Sequence, residues 1–153
     1  MLAYVFILAL SASSAFVSAT EGIRPCTGGR PLPQRIVIDG CNQTPCDVFQ
    51  GSDALMYTDM RTERPANELR PQVFATALGQ TIEYFLPPNQ QNACDHLTVG
   101  SCPLSANEDA TYRFSFPITP VYPPIPVTVE LSLFDHTNQV VFCALIDIHV
   151  RLR

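Results

Sequence analysis

The sequence predicts an all-β protein, a sandwich of about seven strands in two antiparallel sheets. Three observations predict it. Apolar residues alternate with polar ones at period two in several stretches. No stretch of useful length shows helical periodicity, and the alternating runs are separated by Gly, Pro, Asn and Asp clusters of the kind that turn a chain between strands.

Taken in order, the chain opens on MLAYVFILALSASSAFVSA. An apolar run from Leu2 to Leu10 is followed by small residues ending in Val17-Ser18-Ala19, which reads as a secretory signal peptide over residues 1–19 cleaved before Thr20. The apolar run falls well short of the ~20 residues a spanning helix needs. One exported domain over residues 20–153 is expected, long enough to bury a core.

The first alternating pair is Ile36 and Ile38. Ala54, Met56, Thr58 and Met60 then share a face opposite Asp53, Leu55, Tyr57, Asp59 and Arg61. Val73 to Leu78 is nearly continuous in apolar residues, and Tyr112, Phe114 and Phe116 alternate with Arg113 and Ser115. Val127, Val129, Leu131 and Leu133 form the next inward set, and Phe142, Ala144, Ile146, Ile148 and Val150 the last. Asp135-His136-Thr137-Asn138-Gln139 between them is expected to turn a hairpin.

Five of the 14 prolines lie between Pro117 and Pro126, in FPITPVYPPIP. Proline removes a backbone donor and fixes φ, so this segment is expected to be an extended rim rather than a helix or central strand. Its other residues are mostly apolar, unlike a common surface loop. A stiff apolar rim covers either the chain's own core or a ligand.

The net charge is −5, and all nine basic residues are Arg. Without a basic cluster, nucleic acid and anionic membrane surfaces are poor partners, because both need concentrated positive charge. The six cysteines, Cys26, Cys41, Cys46, Cys94, Cys102 and Cys143, all fall in the exported part. An even count in an oxidising compartment implies disulfides, of which six cysteines allow 15 sets. Cys41 and Cys46 flank a turn-forming hexapeptide and Cys94 and Cys102 flank a polar loop, so each pair can close locally and Cys26 is left for Cys143. A zinc site is disfavoured because Cys-x-x-Cys is absent and His96, His136 and His149 are scattered. Asn42-Gln43-Thr44 is a glycosylation sequon at Asn42, inside the small cysteine loop. With every bridge expected at strand ends or loops and no Trp in the chain, nothing clamps the middle of the sandwich, which leaves room between the sheets.

These residues carry a resemblance. The order Cys26, Gly40-Cys41, Thr44-Pro45-Cys46, the Gly79 to Pro88 segment, Cys94, Cys102-Pro103, Phe116-Pro117-Ile118, Tyr122-Pro123 and Leu131 through Phe142-Cys143 resembles the MD-2-related lipid-recognition family. Within it, the sequence is most similar to the Niemann-Pick type C2, or epididymal secretory, group and its arthropod paralogues. The resemblance implies an immunoglobulin-like sandwich holding a lipid between its sheets, and the family's disulfide pairing agrees with that expected from spacing. It implies a pocket that includes Ile36, Ile38, Ala54, Ile82 and Tyr84, the rim residues Pro117, Ile118 and Tyr122, and Leu131 and Ala144, which stand where the sterol carriers have tryptophan. Met56 is expected either as an adaptable pocket wall or as a core gap-filler. Small side chains at Leu131 and Ala144 are expected to enlarge the cavity.

The implied function is a secreted or endolysosomal carrier that binds and transfers a sterol or similar hydrophobic lipid, the expected ligands being a sterol, a fatty acid or a bacterial envelope lipid. It is expected to act as a monomer with no cofactor and no metal, and to hand its cargo to a membrane lipid-transfer protein or receptor. The alternative is recognition of bacterial envelope lipids for presentation to a receptor, for which Arg61, Arg64 and Arg70 offer charge suited to phosphorylated headgroups. An enzyme is not expected. Asp135-His136 and Asp147-x-His149 set acids near imidazoles, but neither has a nucleophile motif nearby and every cysteine is assigned to a bridge.

Overall fold

A computed structural model describes residues 18–153. The segment read as a signal peptide lies outside the described residues, apart from Ser18 and Ala19. Among the described residues, no helix is long and apolar enough to cross a membrane.

The described residues form ten strands: β1 (Arg24–Pro25), β2 (Arg35–Ile38), β3 (Cys46–Phe49), β4 (Ser52–Arg61), β5 (Leu69–Ala77), β6 (Gln80–Tyr84), β7 (Leu97–Val99), β8 (Asp109–Ile118), β9 (Pro126–Asp135) and β10 (Val140–Arg151). Two 3-10 turns, Pro88–Gln90 and Ala93–His96, lie between β6 and β7. Six strands make one sheet, in the order β1-β10-β9-β5-β6 with β3 also on β10, and β2-β4-β8-β7 make the other. Pairing is antiparallel except where β3 runs parallel to β10. The count exceeds the expected seven because β1, β3 and β7 are two to four residues long, too short to show an alternating pattern.

Alternation places the core as the sequence implies. In β4, Met56, Thr58 and Met60 are buried while Asp53 and Arg61 are exposed. In β8, Ala110, Tyr112, Phe114 and Ile118 are buried, and in β10 Phe142, Ala144, Ile146 and Val150. The buried apolar side chains separate into two groups. A large one includes Ile36, Met60, Leu69, Tyr112, Leu133, Phe142 and Ala144, and a small one is Val48, Ile118 and Val150.

Two local features refine these expectations. The proline-rich segment is expected as an extended rim rather than a helix or central strand, and β8 runs through Pro117 to Ile118 at the edge of its sheet. Pro117 pairs with Asp53 on β4, while β7 reaches β8 only at Thr111 and Tyr112, so the other edge of β8 is free there and the missing N–H costs no ladder bond. The strand from Val73 stops at Ala77 rather than Leu78. Leu78 and Gly79 both have positive φ, 51° and 75°, and make the two-residue turn into β6 that joins Ala77 to its partner Gln80.

The bridges are Cys26–Cys143, Cys41–Cys46 and Cys94–Cys102. None crosses the interior. Cys143 lies within β10 rather than at a strand end, but it belongs to the set that alternates with Phe142 and Ala144, so it fastens the segment after β1 to the outside of the sheet. Asn42, in the Cys41–Cys46 loop, is exposed. At the start of the described chain, the Thr20 hydroxyl donates to the Cys41 carbonyl at 2.7 Å and accepts from the Ile38 N–H at 2.9 Å, which seats this residue against β2.

Candidate lipid-binding site

Between the two core groups the sheets do not close on each other. They enclose a cavity of about 340 Å³. It occupies one end of the sandwich, where β4 begins, β8 ends, β9 begins and β10 ends, and every long strand contributes its inward residues from that end only. Met56, Val73, Phe114, Leu131 and Ile146 are buried and form the deep part. Ala75, Phe116, Val129 and Ile148 follow toward the surface and are half-buried. Ile82 on the edge strand β6 faces the cavity and is still 65% exposed, which marks the open side.

The mouth lies between β6 and the loop from Thr119 to Ile125. Tyr84 comes from one side and Tyr122 from the other, with Phe116 between them. The Tyr84 and Phe116 rings are 4.6 Å apart, and Phe116 and Tyr122 stack at 6.3 Å. Burial, and then a hydrogen bond with Tyr122, raise the Tyr84 phenol above the ordinary tyrosine value. The loop itself is held by Gln50, whose Nε2 donates to the Tyr122 carbonyl at 2.5 Å and to the Pro120 carbonyl at 3.3 Å.

The chemistry of the lining is simple. Among the described residues, Gln80, Tyr84 and Tyr122 are its polar side chains and no charged residue borders it. Such a cavity can hold an apolar body by burial alone and can offer hydrogen bonds at its mouth.

Of the residues expected at the site, the cavity brings together Ile38, Ala54, Met56, Ile82, Tyr84, Ile118, Tyr122 and Leu131. Ile36, Pro117 and Ala144 do not line it. Ile36 and Ala144 face inward but belong to the solid end of the core, at 4% and 0% exposure, and Pro117 points away because Phe116 and Ile118 take the inward positions of β8. Ala144 therefore does not enlarge the cavity. Besides the expected Ala54, the small side chains that leave room are Ala75 and Ala77 on β5.

Sequence reading missed these two alanines, in the nearly continuous apolar run from Val73, as well as Phe114, Val129 and Ile146, at inward positions of alternating runs. Alternation tells inward from outward, and it carries no signal for which part of an inward face stays open.

The arginines expected to suit a phosphorylated headgroup are also elsewhere. Arg61 ends β4 and binds Asp109 through Nε and Nη2, each at 2.7 Å. Arg64 bonds Gln139 at 3.2 Å, and Arg70 bonds Asn138 at 2.7 Å while covering the Phe134 ring. From Ala54 at the cavity to Arg61 is roughly 23 Å of extended chain, so these cations surround the opposite end of the sandwich. The acid and imidazole neighbours are engaged separately. Asp147 accepts from Arg24 and Thr128, Asp135 holds the β9–β10 turn, and His136 Nδ1 accepts the Asn67 N–H.

The ML domain family (E1_DerP2_DerF2) matches this chain over residues 22–150. The protein belongs to that family. Among relatives of this ML domain, the NPC intracellular cholesterol transporter 2 of Sus scrofa is 22% identical over 149 residues, spanning 97% of each chain. The NPC intracellular cholesterol transporter 2 homolog a of Drosophila melanogaster is 26% identical over 145 residues, 94% of this chain and 95% of that one. In fold, the ML domain is similar to a Niemann-Pick type C2 protein from Japanese carpenter ant, with a TM-score of 0.73 at 14% identity, covering 85% of this chain and 99% of that one.

Proposed function

We propose that this ML domain is a lipid carrier, which holds a sterol or a similar hydrophobic lipid between its sheets and transfers it without chemical change. The observation that carries the reading is the uncharged apolar cavity, open at one end and rimmed by two phenols. Burying apolar surface at about 25 cal/mol per Å² makes micromolar or tighter binding reachable with few polar contacts. The ligand's apolar body lies against Met56, Val73, Ala75, Phe114, Phe116, Val129, Leu131 and Ile146, with its polar group beside Tyr84 and Tyr122. Ile38, Ala54, Ile82 and Ile118 complete the walls. The names of the NPC2 relatives favour a sterol as cargo.

The carrier acts as a secreted or endolysosomal monomer, with residues 1–19 removed and Asn42 available for glycosylation. It delivers its cargo to a membrane lipid-transfer protein or receptor. The placement of Arg61, Arg64 and Arg70 far from the cavity weighs against recognition of phosphorylated envelope lipids, since a headgroup at the mouth meets no cation among the lining residues.

The test is to purify the native protein, extract it with organic solvent and identify what is released by mass spectrometry. One neutral lipid per chain, chemically intact, is expected. A phosphorylated glycolipid, or a chemically altered form of an added lipid, would overturn the reading.

A further inference from the structure

At its deep end the cavity is bordered by Met56 and Phe114, which stand opposite each other on β4 and β8. The next inward pair, one step farther from the mouth, is Thr58 and Tyr112, again directly opposite in register. Both are buried, at 0% and 1% exposure, and neither Thr58 Oγ1 nor the Tyr112 hydroxyl has a hydrogen-bond partner among the described residues. Buried hydroxyls are ordinarily paired, and two orphans on adjacent strands behind the floor of an apolar cavity lack the partner their chemistry requires. Burial raises the Tyr112 phenol far above its ordinary value, so it is a neutral donor, while the Thr58 hydroxyl can donate or accept.

The barrier between these groups and the cavity is slight. Thr58 lies two residues beyond Met56 on the same face, about 7 Å along the strand. Methionine is unbranched and adapts to what it packs against. At the other end, the mouth has its own hydrogen-bonding groups in Tyr84 and Tyr122.

We propose that Thr58 and Tyr112 form a buried polar end to the cavity, reached when Met56 yields to a bound ligand. The cargo is then a lipid polar at both ends, with a hydroxyl on its buried tail as well as a polar group at the mouth. This rests on the lipid-carrier reading above and narrows its substrate class. A site that holds buried hydroxyls ready for a ligand discriminates against the analogue that lacks the matching group, because that analogue leaves them unpaired.

The experiment compares cholesterol with 25-hydroxycholesterol as competitors for a fluorescent sterol bound to the folded full-length mature protein, in wild type, Tyr112→Phe and Thr58→Val. Wild type is expected to bind the side-chain-hydroxylated sterol about tenfold more tightly. Each substitution is expected to reduce that preference to about threefold or less, with cholesterol affinity changed less than about twofold. Equal affinities in wild type, or a preference that survives both substitutions, would overturn the inference and leave the carrier reading intact. Binding of neither sterol would remove sterol carriage and this inference together. If a variant fails to fold, the comparison in wild type alone decides.

Discussion

Ala144 on β10 and Leu131 on β9 stand directly opposite one another, yet only Leu131 borders the cavity. Ala144 is fully buried, pairs on its other side with Pro25 of β1, and packs in the solid end of the core. The same substitution at the two positions should therefore act differently. Ala144→Trp overpacks a filled site and is expected to cost about 3 kcal/mol or more, with lipid affinity unchanged in the folded fraction. Leu131→Trp can turn its ring into open space, costing about 1 kcal/mol while weakening lipid binding at least tenfold. Thermal melts beside a lipid-displacement assay on both variants check this. Loss of lipid binding in folded Ala144→Trp would show that the cavity reaches farther than described.

Ala75 lies between Val129 of β9 and Ile82 of β6 in the register, with its side chain in the cavity wall. Ala75→Trp should fill the cavity from its side, abolish measurable lipid loading and leave the melting temperature within a few degrees of wild type. The pair of measurements on one variant separates blocked space from lost fold.

The Cys26–Cys143 bridge closes a separation of 117 residues and holds the amino-terminal segment on the outside of β10. Chain-entropy arithmetic gives such a loop about 5 kcal/mol as an upper value. Replacing both cysteines by Ser should lower stability by about 2 to 5 kcal/mol in urea unfolding. The same change at Cys94 and Cys102, eight residues apart, should cost less.

Asp135 organises the β9–β10 turn. One carboxylate oxygen accepts the Thr137 N–H at 2.8 Å, the Thr137 hydroxyl at 2.6 Å and the Gln139 N–H at 3.0 Å. Burial alone would raise its pKa. The hydrogen bonds from Thr137 and Gln139, helped by Arg64, outweigh this and hold it below the ordinary aspartate value. A depressed folded-state pKa contributes stability that is present above the unfolded value, near 3.9, and lost as pH falls through the folded one. Wild type should therefore lose more stability than Asp135→Asn between about pH 5 and pH 2, with the two curves converging at the acid end. Equilibrium unfolding across that range reads the difference.

The long strands and the outline of the site were legible because alternation and proline placement are local signals. Ile38, Met56, Tyr122 and Leu131 could be named from pattern and resemblance together. Ala144 could not be separated from Leu131, because the two sit at matching inward positions and only the approach of the sheets at one end decides which is core. The arginine placement was illegible for a similar reason. Arg61, Arg64 and Arg70 are close in sequence to cavity-lining residues, but a ten-residue strand carries Arg61 to the far end from Ala54. The short strands β1 and β3 depend on pairing with β10, a contact no local pattern records.

Native mass spectrometry reads whether the cavity itself holds the cargo. Delipidated wild type and Ala75→Trp would each be incubated with vesicles containing cholesterol, and the mass of the folded protein recorded afterwards. A single sterol adduct on wild type and none on Ala75→Trp is the predicted result. Equal loading of both, or no adduct on wild type, would contradict it.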